Sequence, residues 1–261
     1  MSQSTHPLGM ETATSPTAPA PTNNGTEERH HIVRKVLWVI GLIALLTAAV
    51  LIKHHPGPWP GELTFSRDVQ AIHYWPWLLS TLMFFSSFND IPPSIAAMVA
   101  VVLFLLIMRW IKQTIFFALT VGFGNAMNIL IGDFVLRPRP SAKLIHVDTP
   151  LLFNSFPSGH TEHDVVFYGG LLYLTFTRAV REWRYRWILI PFQIFAITAI
   201  LAIGYSRVLE GEHWVSDVLG GYLSGITWLS LAIFVYHRVN HWLARRQASK
   251  REQGTSTKSA A

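Results

Sequence analysis

Two histidines, an aspartate and several arginines stand at the polar breaks of an otherwise apolar chain, and their spacing points to phosphoryl chemistry. In the stretch SRVLEGEHWVSD, His213 and Asp217 lie four residues apart, which places them on one face of a helix. An aspartate so placed accepts a hydrogen bond from one imidazole nitrogen and leaves the other aimed outward as a base or nucleophile. Arg207, just upstream, carries a forked cation suited to phosphoryl oxygens. A second break, PSGH at Pro157 to His160, combines a proline tolerated in a first helical turn with Ser158 and Gly159. A helix starting there exposes backbone N–H groups at its positive end, an anion site with His160 beside it to move a proton. A third break, RPRP, sets Arg137 and Arg139 on a stiff segment.

Such residues need elements that hold them together, and composition says which. Half of the 261 residues are hydrophobic and only 14% are charged, the profile of a polytopic membrane protein. Charge-free windows run over 36–52, 91–108, 113–132, 165–177, 187–206 and 218–236. Most approach the ~20 residues that cross about 30 Å of hydrocarbon. The fourth is short and reaches full length only if its helix begins in the polar SGHTEHD run. The expected fold is therefore an all-α integral membrane protein with six transmembrane helices. Between the first two spans, residues 74–88 open with Trp75 and Trp77 and read as an interfacial helix on the outer face.

Charge sets the orientation. Of the 21 Lys and Arg, fifteen fall on the N-terminal flank, the 109–112 turn, the 178–186 loop and the C-terminal tail, so these segments are expected to face the cytoplasm. Four of the remaining six, Arg137, Arg139, Lys143 and Arg207, lie in or beside the loops that carry the candidate chemistry. That topology makes the site extracytoplasmic in the cell membrane, with both termini cytoplasmic. The net charge of +6 thus reports topology, and no basic stripe interleaved with aromatics suggests nucleic-acid binding. With no cysteine there is neither a disulfide framework nor a thiol nucleophile. Residues 1–31 read as a disordered cytoplasmic tail, 32–243 as the six-helix domain and 244–261 as a basic cytoplasmic tail.

Taken together, these motifs resemble the type 2 phosphatidic acid phosphatases, a family marked by KxxxxxxRP, PSGH and SRxxxxxHxxxD in that order. This chain has PSGH at 157–160 and the third motif from Ser206 and Arg207 through His213 to Asp217. The first motif is half present: Arg139 and Pro140 match, and Gly132 stands where the family has lysine. The resemblance implies a lipid phosphate as substrate, with His213 as nucleophile, Asp217 as its orienting partner and His160 as general acid and later base. It implies that Arg139, Arg207, Ser158 and Gly159 hold the phosphoryl group; Arg137 and Lys143, on the same loop, are the candidates to substitute for the absent lysine. Hydrolysis of a phosphate or diphosphate ester through a phosphohistidine would need no cofactor and no metal, because arginines can neutralise the equatorial oxygens.

Other readings stay open on the same residues. His160, His163, Glu162, Asp164, His213 and Asp217 are metal-ligand types, so a metal-dependent membrane enzyme is an alternative that the neighbouring arginines oppose. The glycine at 132 favours a lipid phosphotransferase, or a weakened protein that binds or transports phospholipid on the same fold.

Overall fold

The computed structural model describes residues 24–151 and 153–259, and every regular element among them is a helix. In chain order they are α1 (Asn24–His54), α2 (Glu62–Ala71), α3 (Pro76–Phe88), α4 (Ile91–Ile107), α5 (Ile111–Val135), α6 (Gly159–Thr175) and α7 (Arg178–Arg181). A 3-10 turn (Arg186–Ile188) then leads into α8 (Leu189–Leu209), followed by α9 (Val215–Ser259).

Among the described residues four stretches are long and apolar enough to cross a membrane: Ile32–His54, Ile111–Val135, Arg186–Leu209 and Val215–Lys250. A fifth exists if α3 and α4, bent by 72° at their junction, are counted as one broken span. The protein is thus a multi-pass membrane protein. The expected fourth span corresponds to α6, which does begin in the polar run, at Gly159, yet reaches only 17 residues. The bend has a local cause. Asp90 precedes Ile91-Pro92-Pro93, and prolines without N–H groups can open a helix but cannot extend the one before.

Two terminal expectations change. α1 begins at Asn24, inside the segment expected to be disordered through residue 31, because Glu27, Glu28 and Arg29 are good helix formers; residues 1–23 of that tail lie outside the described residues. At the other end α9 runs unbroken to Ser259, so residues 244–259 extend a helix rather than form a separate tail.

From Leu37 onward, α6 is the helix around which α5, α8 and α9 pack. Its Val166 meets Phe117 and Val121 of α5 and Ala196 and Ala199 of α8 in a core where all five are fully buried. A second cluster joins Leu45 and Ala49 of α1, Ile131 and Val135 of α5, and Trp228 of α9 around Phe156. Lipid chains are as apolar as these side chains, so close approach through small residues carries much of helix association. Here a Cβ on Gly221 of α9 would come within 2.7 Å of the Ser158 carbonyl, and one on Gly225 within 2.6 Å of Val165. These glycines let α9 press against the first turn of α6, where PSGH lies. The outer faces show the complementary pattern, with Ile40, Ile43 and Leu46 of α1 and Ile194 and Leu201 of α8 exposed.

Candidate active site

Three junctions meet at one end of the bundle: the α5–α6 loop, the head of α6, and the α8–α9 loop. α5 ends because Leu136 takes a left-handed conformation (φ 56°) and returns its N–H to the Gly132 carbonyl at 2.8 Å, with Pro138 and Pro140 just beyond. The chain then returns as an extended loop to Ser158, which precedes the first helical residue of α6. The Ser158 amide donates to the Asp217 carbonyl at 2.9 Å, tying the head of α6 to the head of α9.

His213 lies in the α8–α9 loop and is fully buried, so it does not share a helix with Asp217, which sits in the first turn of α9. Its Nδ1 is 3.8 Å from Asp217 Oδ2, longer than a direct hydrogen bond. Ser155 fills the gap: its hydroxyl donates to Asp217 Oδ2 at 2.6 Å and lies 3.5 Å from His213 Nδ1. The Trp214 amide adds a 2.9 Å bond to the same oxygen. The other imidazole nitrogen, Nε2, is 3.1 Å from Arg139 Nη1. Burial, reinforced by Arg139 and Arg207, pushes the His213 imidazole down to about 4, so its ring is neutral at physiological pH with a lone pair available.

Arg139 is held by the Phe153 carbonyl (2.9 Å) and the Glu212 carbonyl (3.0 Å), and burial lowers its pKa from the ordinary value. It lines a cavity of about 620 Å³ that also takes in His160 and Arg207. Across this cavity His160 Nε2 is 3.7 Å from Asp90 Oδ1, at the α3–α4 bend. The structure therefore brings together His213, Asp217, His160, Arg139 and Arg207.

It disposes of the two candidate substitutes for lysine differently. Arg137 is fully buried and turned away from the cavity, so the expectation that it binds phosphate is corrected. Its guanidinium donates to Asp217 Oδ1 (2.7 Å), Ser216 Oγ (2.6 Å), Glu62 Oε2 (2.9 Å) and the carbonyls of Pro56 and Gly57. A cation this completely bonded has no donor left for a ligand, and it serves instead to hold Asp217. Lys143 is exposed on the loop and does not line the cavity. Gly132 packs against Asn154 and the Phe156 carbonyl, each 3.6 Å from where its Cβ would be.

Ser158 is buried, with its hydroxyl accepting from Thr161 Oγ1 at 3.1 Å, and Gly159 packs against Asn128. The polar residues after PSGH find side-chain amide partners: Glu162 with Asn128 (2.8 Å), Asp164 with Asn89, and His163 Nδ1 with Asn125 Oδ1 (3.2 Å). Among the described residues no group of three or more His, Asp or Glu is arranged to hold a metal ion.

Several contributors were not singled out from the sequence. Glu62 of α2 carries no motif signal, yet it accepts from Arg137 and from the Ser216 amide at 2.8 Å. Ser155 stands two residues before PSGH, and Glu210 and Glu212 lie inside the third motif, so position could have flagged these three.

A family model for the PAP2 superfamily matches residues 114–241, the segment that holds Arg139, the PSGH run and the whole of the third motif. The chain carries a PAP2 superfamily region. Among curated relatives of this PAP2 protein, phosphatidylglycerophosphatase B of Bacillus subtilis (strain 168) is 29% identical over 117 residues, 41% of this chain and half the length of that protein. The Escherichia coli (strain K12) protein YbjG, provisionally named an undecaprenyl-diphosphatase, is 26% identical over 178 residues, 64% of this chain and 82% of that one. Among solved structures, the transmembrane PAP2-type phosphatidylglycerolphosphate phosphatase of Bacillus subtilis superposes with a TM-score of 0.64 at 20% identity, covering 77% of this chain and 96% of that chain. The fold is shared with that transmembrane enzyme.

Proposed function

We propose that this PAP2 protein is a lipid phosphatase that hydrolyses a terminal phosphate or diphosphate ester through a phosphohistidine. The observation that carries the reading is the buried, neutral His213. Its Nδ1 side faces Ser155 and Asp217, and its Nε2 is turned toward Arg139 beside the cavity that His160 and Arg207 line.

The geometry supports the following steps. His213 Nε2 attacks phosphorus in line while Arg139 and Arg207 neutralise the equatorial oxygens. The P–O bond to the lipid breaks as His160 gives its proton to the leaving oxygen, yielding a lipid alcohol, or a lipid monophosphate if the substrate is a diphosphate. Water then attacks the phosphohistidine, His160 takes a proton from it, and the P–N bond breaks to release inorganic phosphate. Asp90, 3.7 Å from His160 Nε2, lies beside the imidazole that carries this proton. Charge neutralisation rests on arginines throughout, so the steps call for no metal.

The same reading takes α4 and α6 as the fifth and sixth crossings, since α6 packs among α5, α8 and α9, and α3 as a helix at the outer interface, where Trp75 and Trp77 are exposed. The positive-inside tendency then supports an extracytoplasmic site. One observation favours a second reading, a phosphotransferase or a weakened binding protein: Gly132 supplies no cation, and neither Arg137 nor Lys143 reaches the cavity. The deciding experiment is phosphate release from phosphatidate, phosphatidylglycerol phosphate and an isoprenyl diphosphate, with excess chelator, by purified wild type. Release in chelator supports the metal-free hydrolase. Transfer of the phosphate to an added alcohol without release supports the transferase.

A further inference from the structure

The guanidinium expected to receive phosphate already holds anions. Arg207 Nη1 donates to Glu212 Oε2 at 2.5 Å, and Nη2 donates to Glu210. Its Nε is buried and has no partner among the described residues. Both glutamates line the same cavity as His160 and Arg139.

The two carboxylates are held differently. Glu210 also accepts from Ser86 of α3 at 2.9 Å, so it is clamped between two helices. The Glu212 carboxylate bonds only to Arg207 among the described residues. Moving Glu210 breaks a bond that reaches α3, whereas moving Glu212 breaks one contact between the loop and the end of α8.

We propose that Glu212 is a resident anion which a substrate phosphate must displace from Arg207, and that this exchange selects terminal phosphates over the phosphodiesters of the surrounding membrane. The inference rests on the reading above that Arg207 receives the phosphoryl group. Its physical basis is a comparison of charges. A carboxylate and a phosphodiester each carry one negative charge, so a diester gains little by taking the carboxylate's place. A terminal phosphate approaches two charges near pH 7 and interacts with Arg207 and Arg139 about twice as strongly. It also presents three free oxygens where a diester presents two, enough to meet Nη1 and the unpartnered Nε of Arg207 together with Arg139. A membrane enzyme works in a large excess of diesters, and rejecting them calls for an opposing element as well as an attractive one.

The groups facing Glu212 are Arg207 from α8, Glu210 from its own loop, Arg139 from the α5–α6 loop and Asp90 from the α3–α4 bend, with His160 of α6 on the same cavity. Burial raises the Glu212 carboxyl above its ordinary value, against the opposing pull of Arg207, which eases its release as pH falls.

Sulfate, which stays doubly charged between pH 5 and 7.5, isolates the protein's part of the exchange. Sulfate binding to the full-length protein in detergent should tighten by about tenfold in Glu212→Gln at pH 7.5, the scale of one charge-assisted contact. The advantage should shrink at pH 5. Glu212→Asp keeps the charge but draws it back by one methylene, so it should fall between the two. Phosphatidylglycerol in mixed micelles should compete with sulfate in Glu212→Gln far better than in wild type. Unchanged or weaker sulfate binding in both variants, with unfolding midpoints retained, overturns the proposal. Tighter sulfate without stronger diester competition overturns the selectivity. Sulfate binding needs no turnover, so a protein releasing no phosphate from any lipid would sink the hydrolase reading and leave this test standing.

Discussion

The two histidines of this site live in different surroundings. On the His213 side, Asp217 is bonded to Ser155, the Trp214 amide and Arg137, and Arg137 is bonded in turn to Glu62 and two carbonyls. On the His160 side the nearest carboxylate, Asp90, is 3.7 Å away and more than half exposed, and Arg207 keeps an unpartnered Nε. A fully satisfied buried network fixes one geometry, whereas a partly satisfied one can exchange partners. In the proposed mechanism the nucleophile His213 is thus set in place before substrate arrives, and the acid His160 and the second arginine, Arg207, complete their contacts on it.

Replacing the nucleophile gives the largest expected effect. His213→Ala should lower phosphate release by about a thousandfold or more while the helical content is kept. Release near the wild-type rate would remove His213 from the mechanism and with it the contrast.

Next comes a pair of arginines that share a loop and differ in role. Arg137→Met leaves Asp217 and Glu62 as buried carboxylates without their cation, and loss of one partner from such a set costs about 3–5 kcal/mol. Its unfolding midpoint should fall sharply, and turnover with it. Arg139→Met should lose turnover while its midpoint stays near wild type, since its remaining partners are a ring nitrogen and two carbonyls. Equal losses of midpoint in the two variants would erase the distinction between the fixed side and the open side.

The pH profile sharpens the contrast further. His213 is lowered from an ordinary 6.5 to about 4 by burial, so the folded protein binds fewer protons there than the unfolded chain. Its stabilising contribution is complete above about pH 6.5 and is lost as pH falls toward 4. The neutral ring needed for attack persists over the same range, so the acid limb of kcat/KM should fall near pH 4 rather than 6.5. An acid limb at 6.5 would mean that the ring is hydrated in the working enzyme.

The smallest effect is expected at Asp90. Asp90→Asn should slow cleavage of a lipid alkyl ester by about tenfold, because that leaving oxygen needs a proton, and should scarcely affect a nitrophenyl phosphate, whose leaving group does not. Equal slowing of both substrates would make Asp90 a structural residue of the bend.

Much of this was readable along the chain because it depends on local order. The all-helical membrane character follows from long charge-free windows, and the start of α6 from proline, serine and glycine before an apolar run. The grouping of His160, Arg139, Arg207, His213 and Asp217 follows from three motifs at junctions of one polarity. Arg137 and Arg139, by contrast, are two residues apart in RPRP and are chemically identical. Only the fold decides that one is buried against Asp217 and the other faces the cavity, because Glu62 arrives from α2, 75 residues earlier. Asp90 reaches His160 only through the bend between α3 and α4. The pairing of Arg207 with Glu210 and Glu212 depends on how the α8–α9 loop turns back at Gly211 with its φ of 71°. The sequence by itself determined which residue types stand at the head of each helix, since hydropathy, capping and proline act over a few residues. The tertiary structure decided which guanidinium meets which carboxylate, since an ion pair is set by distance in space and both signs were available to each arginine.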